Sequence, residues 1–195
     1  MHMAGRPLLR RLIALSLAMT AVLAISGCAS GYDSVLWRLM DEQESEAYRI
    51  IGVAQRTSVG PAGFVSELER LPTYWDGRHL PSVDSELPAT FYFNVHDGDV
   101  DRFGDPLVSF DVLVHSGIRP DGAPREDPGG ISAGPHFGPP SVYTCYRLVV
   151  TFVAERVWRW HRSHDGGEEL LDCPEELETV LADDAQYETP HEFDG

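Results

Sequence analysis

The sequence contains no lysine. All 15 basic side chains are arginine, set against 31 Asp and Glu, for a formal net charge of −16 at pH 7. Arginine at every basic position follows from the codon supply of a GC-rich genome and calls for no functional account. The acidic balance does carry meaning, because such a surface repels phosphate backbones and anionic headgroups. Nucleic acid is therefore excluded as a partner. Cysteine is scarce too, and three in 195 residues allow one disulfide at most. The one long apolar run, "LIALSLAMTAVLAISG", has about 16 residues, short of the roughly 20 that span a bilayer as a helix. No internal repeat and no strict metal spacing of the H-E-x-x-H kind occurs. No cofactor motif stands in the chain, and no cofactor is expected. The length suits a single domain behind a short leader.

That leader is the first informative feature. "MHMAGRPLLRR" carries three arginines and no acid, and the apolar run follows it directly. A basic n-region, a short apolar h-region and small residues at its end are the marks of a secretory signal. The run closes in "LAISGCAS", and Ile25-Ser26-Gly27-Cys28 resembles the lipobox of bacterial lipoproteins. The resemblance covers only the first 28 residues. It implies cleavage behind Gly27 and a diacylglycerol in thioether linkage on Cys28, with acyl chains of the palmitate type. It also implies an extracytoplasmic protein, lipid-anchored to the cell membrane of a bacterium. Two or more acyl chains hold stably, since each buried methylene contributes about 0.8 kcal/mol. Arg10-Arg11 brushes against a twin-arginine export pattern, but Leu9 precedes them where that pattern has Ser or Thr. The general secretory route is the default.

The implied organisation is a signal peptide over 1–27, a lipidated tether over 28–33, one domain over 34–183 and an acidic tail over 184–195. With three arginines and no acid removed, 12 bases face 31 acids, a net charge of −19. The two cysteines left after Cys28 are Cys145 and Cys173. An even pair outside the cytoplasm is expected to form a disulfide.

Along the domain the hydrophobic period changes once. In "SVLWRLMDEQESEAYRIIGVAQR" the residues Leu36, Leu39, Met40, Ala47, Tyr48 and Ile51 recur at helical steps. The end of that stretch, "YRIIGVA", also reads as a strand. "PAGFVSELERL" suggests a second helix opened by Pro61, and 72–88 is loop by its prolines and glycine. From Ala89 the period is two. "TFYFNVH", "LVSFDVLVH", "VYTCYRLVVTF" and "RVWRWHR" are strands, with "ELLDCP" a brief edge strand. "PEELETVLAD" closes the domain as a short helix. The fold class is α+β: one or two N-terminal amphipathic helices packed on an antiparallel sheet of four to five strands, with a short C-terminal helix. A glycine- and proline-rich loop over 119–140 interrupts the sheet, and loops of that length are either plain linkers or binding loops.

Four patterns bear on chemistry. In "VHDGDVDRFGD", Asp97, Asp99 and Asp101 match positions 1, 3 and 5 of an EF-hand. Arg102 stands where its glycine belongs and Val108 where its bidentate glutamate belongs. A polar turn is expected, with those three aspartates the candidate cation ligands. "GISAG" matches the G-x-S-x-G elbow at Ser132, but the prolines around it forbid the strand and helix that motif needs. His96, His115, His136, His161 and His164 form a catalytic group only if folding gathers them, and His161 with Asp165 is the acid–base pair such a site would use. Last, Trp158 and Trp160 alternate on a strand between Arg156, Arg159 and Arg162. Packed, they are core with the arginines wet; exposed, they are a stacking surface for a sugar or a protein.

The reading is a membrane-anchored envelope lipoprotein with a non-catalytic binding domain, whose partner is a protein or a cell-wall polymer. The alternative is a small envelope hydrolase using His and Asp groups around residues 161–165.

Overall fold

The computed structural model describes residues 34–57, 59–121, 139–162 and 171–190. Helix α1 spans Ser34–Arg56 and α2 spans Gly60–Glu69. In α1 the buried positions are Leu36, Met40, Ala47, Ile51 and Ala54, spaced by three, four or seven residues as one helical face requires. The ambiguous "YRIIGVA" stretch is therefore helix, because its inward residues Ile51 and Ala54 continue from Ala47 at that period. Helix α2 carries Pro61 in its first turn and buries Phe64 and Leu68.

Four strands follow as an antiparallel meander: β1 (Ala89–Val100), β2 (Pro106–His115), β3 (Val142–Val153) and β4 (Arg156–Arg162), in the order β1-β2-β3-β4. A four-residue helix α3, Glu175–Glu178, and a two-residue strand β5, Gln186–Tyr187, complete the set. The fold is α+β, with the two long helices preceding the sheet and the short one following its four main strands. Two expectations need correction. Residues 171–174 of "ELLDCP" are not strand. The edge is filled instead by β5, which pairs in parallel with the start of β3. Strand β5 lies in the segment that the sequence pattern assigns to a free acidic tail, so the domain continues beyond residue 183. Two backbone bonds hold it, Gln186 N–H to Ser141 O and Glu188 N–H to Tyr143 O.

The sheet is covered on both faces. Val108, Phe110, Val112 and Val114 of β2 join Tyr146, Leu148, Val150 and Phe152 of β3 against α1 and α2. On the opposite face Phe91, Phe93, Leu113, Tyr143 and Cys145 meet Leu177 and Leu181 at the C-terminal helix. The Cys145–Cys173 disulfide joins β3 to the residue pair leading into α3, with Cα atoms 5.6 Å apart. It fastens the short helix to a face that four helical residues alone would not hold.

Candidate functional site

The aspartate-rich stretch is mostly strand. β1 runs to Val100, four residues beyond the end of the regular alternation, through register shifts between Phe93 and His96 and between Asp97 and Asp99. Asp97 pairs with Val108 and Asp99 with Leu107. Only Asp101 acts in the turn, where its Oδ1 accepts from the N–H groups of Phe103 at 2.8 Å and Asp105 at 3.0 Å. Its Oδ2 accepts from Arg159 Nη2 at 2.8 Å. Partial burial raises the Asp101 carboxyl, but those backbone donors and Arg159 outweigh it and hold it below the ordinary carboxylate range. The three candidate ligands are thus divided between two strand positions and one closed turn. Among the described residues no three His, Cys, Asp or Glu side chains are grouped to hold a metal ion.

The tryptophan strand departs from simple alternation. Thr151 pairs with Arg159 and Phe152 with Val157, so Trp158 is the extra residue of a bulge. The bulge resets the parity of β4. Val157 and Arg162 are buried, Trp160 is half-buried, and Trp158 is 71% exposed. Trp160 packs on Tyr48 of α1 with ring centroids 4.4 Å apart. Arg162, expected on the wet face, lies 8% exposed and pairs with Glu44 while its Nε donates to the Tyr48 hydroxyl at 2.9 Å. Trp158 and Trp160 therefore do not share a face. One is core and the other is surface.

Trp158 has apolar company. The β1–β2 and β3–β4 turns lie at one end of the sheet, and Val100, Phe103 and Val153 on them are also exposed. The Arg102 guanidinium lies 4.7 Å over the Phe103 ring. The Arg159–Asp101 ion pair ties the two tips together. Helix α1 begins at the other end of the sheet. Its middle residue Gln43 receives the Thr90 hydroxyl from the start of β1, and its C-terminal end leads to Gly60, whose N–H bonds Glu155 O in the β3–β4 turn.

Among the described residues the candidate histidines do not converge. His96 pairs with Ser109, Ser109 with Val149 and Val149 with His161, so His96 and His161 sit at opposite edges of one row. Three inter-strand steps separate them, roughly 14 Å. Both are exposed. Cys28, Ser132, His136, His164 and Asp165 lie outside the described residues.

His115 is the exception, and its partner was not legible from spacing. Its Nε2 is 2.6 Å from Ser141 Oγ, 26 residues away, and the two groups are 1% and 0% exposed. Burial pushes the His115 pKa down to about 4, so the ring is neutral at pH 7. The one signal in the sequence that could have found it is that both residues flank the same long loop. A serine beside a neutral imidazole has the ingredients of an activated nucleophile, but both are sealed from any reactant. The pair closes the base of the loop together with Ser116, whose Oγ accepts from Val142 N–H at 3.0 Å.

A buried charge cluster also escaped the sequence. Asp111, fully buried, receives Arg147 through two bonds of 2.6 and 2.9 Å and Asn94 Nδ2 at 3.0 Å. The β1 bulge brings Asn94 there with φ at 48°. Beside α1 are two cavities of about 360 Å³ each, and Ile50 and Leu71 line both. No family model, curated protein or solved structure matches the chain.

Proposed function

We propose that this chain is a lipid-anchored protein of the bacterial envelope whose domain works by binding rather than by turnover. The exposed apolar group at the hairpin tips carries the binding reading: Trp158 at 71%, Phe103 at 69% and Val100 at 61% exposure. Large apolar side chains gathered on one end and rimmed by charge are how interaction surfaces are built. Trp158 adds a second argument. A bulge that turns a tryptophan outward spends burial that the core would otherwise have gained. The anchor rests on the leader and Cys28, and the Cys145–Cys173 disulfide supports an oxidising compartment. The tips are the surface that would meet a protein or wall polymer.

The test has two arms. Expressed from its full gene in a bacterial host, the chain incorporates a labelled fatty acid and partitions with membranes, and Cys28→Ser abolishes both. Purified chain binds insoluble wall polymer or a cross-linked envelope protein, and a Trp158→Ala, Phe103→Ser variant loses that binding while keeping its unfolding midpoint. Binding that survives the double substitution refutes the tips as the contact surface.

A further inference from the structure

The sheet face opposite α1 is covered over only part of its length. Phe91, Leu113 and Cys145 pack against Leu177 of α3, and Trp75 meets Phe93 edge-on. Beyond them the same face carries two ion pairs with a row of side chains between. On one side Arg147 is held by the buried Asp111, which also takes the Asn94 amide. On the other, Arg159 crosses Thr151, its Nε 3.3 Å from that hydroxyl, to reach Asp101. The row between them is His96, Ser109, Val149 and His161. Ser109 and Val149 are half-buried, and both histidines are exposed. This open strip measures about 14 Å across the four strands and about 13 Å along β3 from Arg147 to Thr151.

What the strip leaves uncommitted defines its ligand. Ser109 Oγ, the imidazoles of His96 and His161, Asn94 Oδ1 and Arg147 Nη1 hold no hydrogen bond within the described residues. The Ser109 hydroxyl is open to solvent. Both arginines are balanced by the carboxylates that hold them, and Asp99 stands exposed at the β1 edge without a basic partner among the described residues. An anion therefore meets no net attraction here, in a chain with 31 acids against 15 arginines. An apolar ligand would strip water from the Ser109 and Arg147 donors without replacing it. Hydroxyl groups, each a donor and an acceptor, match what is left. We propose that the strip binds a neutral oligosaccharide laid across the strands, its hydroxyls bonding Ser109, His161 and the outer edge of Arg147 while a ring rests on Val149. Asp111 fixes the Arg147 guanidinium beforehand, so little side-chain freedom is lost on binding. The site shares no residue with the apolar hairpin tips.

The experiment titrates cellotriose, chitotriose and trigalacturonate into the full chain, in a zwitterionic detergent without a sugar headgroup, and follows backbone amide resonances. At least one neutral trimer shifts the amides of Ser109, Val149 and His161 saturably, and the acidic trimer does not. Ser109→Ala and His161→Ala each weaken that binding about fivefold, the loss of one ordinary hydrogen bond. Neither side chain holds a bond in the fold, so both variants keep their unfolding midpoints. The Trp158→Ala, Phe103→Ser chain binds the trimer unchanged, which separates this site from the tips. Absence of saturable shifts with both neutral trimers, or acid binding as tight as theirs, overturns the proposal. Undiminished binding in either single variant, or loss of binding in the tip variant, overturns it too.

Discussion

Gly117 leaves β2 with φ at 68°, and a Cβ there would lie within 2.7 Å of the backbone of Glu86, Leu87 and Pro88. Two requirements meet at one residue, a left-handed backbone and a close approach of main chains. Gly117→Ala is expected to cost about 3 kcal/mol, the sum of backbone strain and overpacking, measured by denaturant unfolding. Two residues earlier, His115 makes stability depend on pH. Its folded pKa of about 4 is below the ordinary value of 6.5, so the unfolded chain binds the proton first. The contribution of the neutral ring is fully present above pH 6.5 and is lost as pH falls towards 4. The shift corresponds to about 3 kcal/mol. His115→Gln should flatten the stability profile between those pH values, and an unchanged slope would assign it to other groups.

The β3–β4 hairpin and the disulfide show how elements are held. Ala154 and Glu155 both have positive φ, at 49° and 62°, in a turn that suits glycine or asparagine better. Glu155→Gly keeps the backbone bond to Gly60 and should stabilise the chain by about 1 kcal/mol, read as a higher thermal midpoint. The disulfide closes 28 residues, and its reduction is expected to cost about 3–4 kcal/mol. A reduced form as stable as the oxidised one would show that α3 and β5 hold without it. The strands themselves were legible because β-branched and aromatic residues crowd 107–115 and 142–152, as a sheet covered on both faces requires. Their irregularities were not. The bulges in β1 and at Trp158 depend on how neighbouring strands pair, and one inserted residue reverses every side chain beyond it. Strand β5 was missed for a related reason, since two exposed residues held by backbone bonds leave no hydrophobic pattern.

Across the whole molecule the dominant feature is like charge. Beyond residue 28, 12 arginines face 31 acids, and several arginines are already engaged, among them Arg49, Arg147, Arg159 and Arg162. The unpaired excess of carboxylates repels itself in the compact state. Raising ionic strength from 10 to 300 mM should therefore raise the unfolding midpoint, because the Debye length falls below the spacing of surface charges. A falling midpoint would mean that the ion pairs outweigh the repulsion. Charge, cysteine pair and fold class follow from the sequence alone, because each depends on composition or on a local period. The tertiary structure decided the face of Trp158, the hydrogen bond of His115 with Ser141, the burial of Asp111 with Arg147 and the open strip around Ser109. Each of these joins residues far apart in the chain, and no local pattern encodes which distant backbone a bulge or a loop will bring alongside.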